Sequence, residues 1–158
     1  MGKKSGPNPT DRAKQGVKRS LLTEGGGVPI GLAIDGANRN DFKLVRATLA
    51  SIPVERPDSG GGAPQGLCLD KGYDYDEVRE LAVAFGYTAH IRSRGEEAQA
   101  LKRQIRFHAR RWVVERTHSW LNRFRRILIR WEKKAANYLA LLHLACAIIT
   151  YRRAGVLG

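Results

Sequence analysis

Two carboxylates of this chain, Asp70 and Glu115, lie where side chains often do chemistry. Asp70 follows the apolar run Gly-Leu-Cys-Leu and precedes a Lys-Gly-Tyr turn, so it ends a predicted buried strand at residues 66–70. Ligands and catalytic groups collect at the carboxyl ends of strands in open α/β sheets. The residues also allow a simpler interpretation of Asp70, as an acid that ends a strand in a turn.

Glu115 lies near the start of a strongly basic segment whose apolar residues recur at helical spacing. A helical wheel over residues 108–131, at about 100° per residue, separates an apolar stripe from a polar face. The stripe, which we expect to be buried, consists of Val113, Thr117, Trp120, Phe124, Leu128 and Trp131. The opposite face carries His108, Arg111, Glu115 and Asn122, with Arg126 close by. Glu115 therefore either forms a salt bridge with Arg111 on a solvated face or is presented for chemistry.

The acids next to Asp70 have a structural interpretation of their own. The sequence Asp-Tyr-Asp-Glu has the form of a capping box, which predicts Asp74 as a helix N-cap and Glu77 as its partner. Asp70 has no comparable task in the sequence. A strand-end aspartate and a helical glutamate in a basic chain suit metal-assisted cleavage of phosphodiesters, because carboxylates hold the cations that stabilise the attacking and leaving oxygens. Such a site normally needs a third carboxylate.

The net charge of the chain indicates a polyanionic partner. Its 158 residues, enough for one domain, carry a formal charge of +13, which favours nucleic acid over an acidic membrane surface. Cys68 and Cys146 have apolar neighbours, so we expect core residues of a reducing compartment and no disulfide or zinc site. The sequence has no signal peptide or membrane-spanning pattern, which predicts a cytoplasmic protein.

The first third of the chain has the pattern of a basic arm followed by a β-hairpin. Residues 1–16, with Gly-Pro-Asn-Pro and scattered cations, are predicted to be an irregular arm. Residues 18–23 and 28–34 are predicted strands joined by a glycine-rich turn. Asp41 is predicted to cap a helix over residues 42–51.

The rest of the chain predicts an α/β domain with a helical C-terminal third. A strand at residues 66–70, a helix at 75–85 and a strand at 86–91 follow one another, which indicates a parallel crossover unit. From residue 96 onward the sequence is typical of helix in about three pieces.

Four stretches of the chain carry a resemblance to a known family. They are GPNPTDRAKQGVKRSLLTEGGGVPIGLAIDGANRND, LCLDKGYDYDEVRELAVAFGY, HIRSRGEE and RWVVERTHSWLNRFRRILIRWEKK. Across residues 3–153 the chain resembles the DDE transposases of bacterial insertion sequences, whose catalytic domain is RNase H-like. The resemblance implies that Asp70 is the second acid of the DDE triad and Glu115 the third.

The chain departs from the family's pattern in two places. His108 and Asn122 stand where the pattern has Tyr and Lys, although related members also have Leu-Asn-Arg at the second position. The first Asp has no match, because Asp35 would lie about three strands, roughly 14 Å, from Asp70. The other candidates are Asp11 and Asp41, and Asp41 is predicted as a helix cap. The resemblance thus implies an RNase H-like mixed sheet lacking its first strand, over residues 17–153, with a tail at 154–158.

The resemblance also implies a function, cofactors and partners. Asp70 and Glu115, with the missing Asp, would bind Mg²⁺ or Mn²⁺ for cleavage and transfer of double-stranded DNA at transposon ends and target. Phosphate contacts are expected from Arg111, Asn122, Arg126, His108 and Lys71. The alternative is a catalytically inactive DNA-binding remnant or regulator. A homodimer and association with full-length transposase both remain open, as does the nucleoid as its location.

Overall fold

The computed structural model describes residues 4–56, 65–92 and 111–155. These residues form a mixed α/β structure with five strands and five α-helices. The chain divides into two compact units, Val54–Trp112 and the remainder, Met1–Pro53 with Val113–Gly158. We call the first the crossover unit and the second the hairpin unit. No described helix is both long and apolar enough to cross a membrane.

The hairpin unit is built on a three-stranded antiparallel sheet. Its strands are β1 (Gly6–Pro7), β2 (Gln15–Thr23) and β3 (Pro29–Gly36), in that order across the sheet. The Glu24 carboxylate accepts hydrogen bonds from the backbone N–H groups of Gly26, at 2.6 Å, and Val28, at 2.8 Å. These bonds close the glycine-rich turn between β2 and β3, and the predicted hairpin is confirmed.

The segment predicted to be an irregular arm contains regular structure. Gly6 pairs with Gly16 and Pro7 with Gln15, so both ends of the segment belong to the sheet. Between them the backbone N–H of Asn8 donates to the carbonyl of Lys14 at 2.8 Å. The sequence of Pro, Gly and Asn residues marks the turn correctly but does not reveal that its two sides pair.

The predicted cap at Asp41 is wrong. Asp41 begins a short 3-10 helix, Asp41–Leu44, which leads into α1 (Val45–Ala50). The N-cap position belongs to Asn40, and its side chain makes no capping hydrogen bond. The Asp41 carboxylate instead lies 3.2 Å from the Lys18 ammonium, which also donates to the carbonyl of Arg39. An ion pair to β2 therefore replaces the expected local cap.

Three described helices follow at the C-terminus: α3 (Arg111–Asn122), α4 (Arg125–Leu128) and α5 (Ala135–Arg153). The predicted continuous helix over residues 108–131 is therefore wrong, because the chain turns at residues 123–124. The stripe is buried at Val113 and Thr117, but Leu128 is 57% and Trp131 71% exposed. Leu121, before the turn and outside the predicted stripe, is fully buried, and past the turn the buried residue is Ile127.

The core of the hairpin unit lies between β3 and the C-terminal helices. Its buried members are Leu32, Ile34, Leu121, Ile127, Tyr138, Leu142, Ala145 and Ile149. Burying a Leu or Ile side chain contributes about 1.5–3 kcal/mol, so this cluster is the main source of stability in the unit. It also fixes α3, the helix that carries Glu115.

The crossover unit has the predicted parallel arrangement. It contains β4 (Gln65–Asp70), α2 (Asp76–Ala84) and β5 (Tyr87–Arg92). The two strands pair in parallel with Asp70 opposite Arg92. Leu67 and Tyr87 are buried, but Cys68 is exposed. The prediction of Cys68 as a core residue is wrong, because side chains alternate along the strand and Cys68 points away from Leu67.

Candidate active site

Asp70 lies at the carboxyl end of β4, as the sequence predicts, and it also has a structural task. Its Oδ1 accepts a hydrogen bond from the backbone N–H of Gly72 at 2.8 Å, which caps the 3-10 helix Lys71–Tyr73. A Cβ atom at Gly72 would approach Oδ1 to 3.0 Å, so glycine at this position leaves room for the Asp70 carboxylate to accept the hydrogen bond. The turn therefore fixes the direction of the Asp70 carboxylate.

Asp74 is not the helix N-cap that the capping-box pattern predicts. Tyr75 occupies that position, without a side-chain capping bond. The Asp74 carboxylate instead binds the Lys71 ammonium and the Arg79 guanidinium, whose Nε lies 3.0 Å from Oδ1. The hydrogen bond from Lys71 and then that from Arg79 lower the pKa of Asp74. Lys71, a predicted phosphate contact, is thus paired with a carboxylate next to Asp70.

His90 is a residue of this region that the sequence did not single out. It pairs with Cys68 across the parallel strands and is exposed. Alternation places Cys68 and Asp70 on one face of β4, and the register brings His90 to the same face. The sequence places His90 inside the predicted strand 86–91. It does not show that His90 lies opposite Cys68, because the register of a parallel pair cannot be derived from one strand alone.

Glu115 lies on the exposed face of α3, while Val113 and Thr117 are buried on the other. This arrangement confirms the helical wheel over the described part of α3. Within the described ranges, no side chain forms an ion pair or hydrogen bond with Glu115. The proposed partner Arg111 has no described side chain and His108 lies outside the described residues, so the salt-bridge alternative remains a prediction.

The two residues after Glu115 attach α3 to the hairpin turn. Arg116 Nη2 donates to the carbonyl of Gly26 at 2.5 Å, and Thr117 Oγ1 donates to the carbonyl of Gly27 at 2.7 Å. The Arg116 guanidinium also lies 4.8 Å from the centre of the Trp120 ring. These contacts join residues about ninety positions apart in the chain, so no local pattern predicts them. They set the position of the helical turn that presents Glu115.

Asn122, seven residues after Glu115 in α3, is exposed on the same helical face, but Arg126 does not share that face, and that part of the prediction is wrong. Asn122 is the last residue of α3, and its Oδ1 accepts a hydrogen bond from Arg19 Nη2 at 2.8 Å. Arg126 lies beyond the turn in α4, where its Nε is 3.1 Å from Glu132 Oε1. Because the helix ends at residue 122, the rotation per residue no longer relates Arg126 to Glu115.

The two predicted metal-binding acids lie in different units, Asp70 in the crossover unit and Glu115 in the hairpin unit. Carboxylate oxygens are the donors that Mg²⁺ and Mn²⁺ prefer. The two carboxylates are thus donors of the right type for these metals. Among the described residues, however, no group of three His, Cys, Asp or Glu side chains could hold a metal ion.

Comparison with known proteins identifies the family. Residues 2–150 match the model of the transposase DDE domain. The chain belongs to this family. A Burkholderia cepacia protein described as a transposase for insertion sequence element IS402 is 38% identical over 160 residues, which covers 96% of this chain and 72% of that protein. A Brucella ovis protein described as a transposase for IS6501 is 32% identical over 87 residues, 54% of this chain and 67% of that protein.

No solved structure gives a significant match to the chain. Membership in the DDE family nevertheless defines a general chemistry. Transposases of this family bind DNA, cut and transfer its strands, and use divalent metal ions for the reaction. The chain is therefore an insertion-sequence transposase by family.

Proposed function

We propose that the chain is the larger part of an RNase H-like catalytic domain, which binds double-stranded DNA at transposon ends and target. Asp70 and Glu115 are its second and third catalytic acids, and it becomes active when a first Asp completes the triad. The observation that carries the proposal is Glu115, an exposed carboxylate on a helix that Arg116 and Thr117 bond to the hairpin turn. A carboxylate kept accessible beside many cations suits a ligand of metal and a neighbour of phosphate.

The order of strands along the chain supports the RNase H-like assignment, although the described strands form two sheets, of three strands and of two, and not the single mixed sheet predicted. An antiparallel hairpin, β2–β3, precedes a parallel pair, β4–β5, with α2 as the crossover. Over residues 17–23, the described partner of β2 is β3 alone. Among the described residues, the other edge of β2 is therefore open, apart from the short pairing with β1. An open edge of this length can accept another strand, as the proposed first strand requires.

None of the described aspartates near the N-terminus is a good substitute for the first acid. Asp35 Oδ2 lies 3.4 Å from Arg39 Nε, and its Oδ1 accepts from the backbone of Gly36. Asp41 is paired with Lys18, and Asp11 lies 3.6 Å from the Lys14 ammonium. These local pairs support our assignment of the first acid to a residue other than these three.

Asp70 and Glu115 would hold Mg²⁺ or Mn²⁺, which stabilises the attacking and leaving oxygens of the phosphodiester. The residues of this chain contribute the remaining tasks. The turn after β4 orients Asp70, and α3 presents Glu115. Arg111, Arg126 and Lys71 are proposed phosphate contacts, because a guanidinium or ammonium group binds phosphate oxygens strongly. Asn122 and His108 are proposed as further contacts that donate a side-chain hydrogen bond to phosphate.

A second candidate function is a catalytically inactive DNA-binding regulator of transposition. The observation that favours it is the net charge of +13, which supplies attraction to DNA whether or not a catalytic triad is complete. Such a protein would occupy transposon ends as a homodimer or in association with full-length transposase. Its basic surface would retain salt-dependent DNA binding without catalysis.

The test is to incubate the isolated 158-residue chain with transposon-end DNA and Mg²⁺, and to measure binding, nicking and joining together. We expect binding that weakens with salt, and neither nicking nor joining. Joining that disappears in Asp35→Ala would overturn our assignment of the first acid. Preference for RNA over terminal-repeat DNA would overturn the proposed substrate.

A further inference from the structure

Side-chain hydrogen bonds stabilise one conformation of the loop between α4 and α5. The Arg130 guanidinium donates to three backbone carbonyls, those of Glu132 at 2.9 Å, Lys133 at 3.1 Å and Lys4 at 3.3 Å. It also lies 5.7 Å from the centre of the Tyr138 ring. The buried Tyr138 hydroxyl in turn donates to the carbonyl of Ile127 at 2.9 Å. The loop is therefore built on the core and has a defined conformation.

This braced loop presents large apolar side chains to solvent. Trp131 is 71% exposed, and Leu128 and Ile129 are each 57% exposed. None of the three belongs to the buried core, which includes Ile127 and Tyr138 instead. A group of exposed apolar side chains on a fixed backbone marks an interaction surface. We call residues 128–134 the Trp131 loop.

The charge around the Trp131 loop identifies the kind of partner. Residues 123–134 contain six Lys or Arg and a single acid, Glu132, which is already paired with Arg126. Arg123, Arg125, Lys133 and Lys134 are all exposed. A second copy of this chain, with its own charge of +13, would be repelled by such a surface. A polyanion that also offers flat apolar faces fits it, and nucleic acid has both properties.

We propose that Trp131 stacks on a nucleobase whose face is free, while the surrounding cations hold the adjacent phosphates. Inside an intact duplex both faces of a base are covered by its neighbours, so stacking of the indole ring is favoured on an unpaired base. The inference rests on the proposed DNA substrate and deepens it. On this inference, the Trp131 loop recognises a DNA strand that has unpaired bases.

The test compares two DNAs of equal charge. One is a duplex with short unpaired thymine tails, and the other carries abasic tails of the same length. Equilibrium binding of the full chain is measured over a series of salt concentrations. We expect the wild-type chain to bind the thymine-tailed DNA about 5- to 150-fold more tightly, the range that stacking on one base supplies.

Matched variants separate stacking from charge and from folding. Trp131→Ala should abolish the preference for thymine tails without changing the affinity for abasic tails or the salt dependence, whereas Trp131→Phe should keep part of the preference. Lys134→Ala should weaken binding to both DNAs equally and reduce the slope of log affinity against log salt by about 1. Leu144→Ala, on an exposed apolar residue of α5, should change neither.

Three outcomes would overturn the inference. The wild-type chain could bind both DNAs equally, or the preference could persist in Trp131→Ala. Trp131→Ala could instead change the molar mass in sedimentation equilibrium, which would make the Trp131 loop a protein interface. A wild-type chain that binds neither DNA contradicts the proposed function itself, which is a different result from the loss of the preference alone.

Discussion

Adjacent residues of one short motif have separate tasks in this protein. Glu115 is exposed and makes no described polar contact, whereas Arg116 and Thr117 are bonded to the carbonyls of the hairpin turn. The sequence predicts the exposure of Glu115 from helical phase. It cannot predict the attachment of its neighbours, because the hairpin turn lies about ninety residues away in the chain.

Substitutions at Glu115 and Thr117 should differ in their effect on stability. Glu115→Gln should change the free energy of unfolding by no more than about 0.5 kcal/mol, as expected of an exposed residue. Thr117→Val keeps the volume but leaves the carbonyl of Gly27 without its donor, which should cost about 1–3 kcal/mol. Urea denaturation measures both, with Thr150→Val as an exposed control. A large loss in Glu115→Gln would instead favour a structural salt bridge.

The two cysteines should differ in reactivity. Burial raises the pKa of Cys146 to about 11, so its thiol stays protonated at neutral pH, and the thiol is also partly covered. Cys68 is exposed on β4. We expect iodoacetamide to modify Cys68 first, as measured by peptide mass spectrometry. The unfolded chain, in which both should react at similar rates, is the control. Faster modification of Cys146 would contradict the placement of both residues.

At the scale of elements, the sequence predicts the pieces with local signals and misses those set by packing. The β2–β3 hairpin and the β4–β5 crossover follow from alternation, glycine turns and apolar runs. The turn at residues 123–124 could not be predicted, because the sequence there has no Gly or Pro and the apolar spacing continues. Asp74 had two local solutions, a helix cap or a pair with Lys71 and Arg79, and the sequence does not rank them.

The break after α3 can be tested by substituting alanine for two leucines, one on each side of the break. Leu121 is fully buried, so Leu121→Ala should destabilise the protein by about 2–5 kcal/mol. Leu128, which a continuous helix would bury, is exposed, and Leu128→Ala should change the stability by about 0.5 kcal/mol or less. Thermal unfolding of the two variants decides between the arrangements. Equal losses would indicate that the helix continues through residue 124.

The hairpin turn should tolerate no side chain at Gly27. Its φ is +89°, and a Cβ atom there would lie 2.8 Å from Arg116 Nη2. Gly27→Ala should therefore cost more than about 1 kcal/mol, the usual penalty for an L-residue in the left-handed region. Gly155→Ala is the matched control, since its φ is +68° but no atom lies within 4 Å of the added methyl group. Equal costs would show that the contact with Arg116 is not close.

At the scale of the whole molecule, the charge and the family agree. A net charge of +13 predicts a nucleic-acid partner, and the chain belongs to a family of DNA transposases. The completeness of the catalytic triad could not be derived from physical patterns in the sequence, because three carboxylates from distant segments must meet in space. The described residues contain two of the proposed acids, one in each unit.

The most direct test of the proposed catalytic role of Glu115 is a DNA strand-joining assay on the protein produced from its native locus with the upstream DNA included. The intact mass of the product is determined in the same preparation. We expect a product longer than 158 residues that joins transposon-end DNA to target DNA with Mg²⁺. Glu115→Gln should abolish joining while the control Glu80→Gln, on an exposed residue of α2, retains it. Joining by Glu115→Gln at the wild-type rate would contradict the assignment, and a wild-type product of 158 residues that binds without joining would establish the regulator instead.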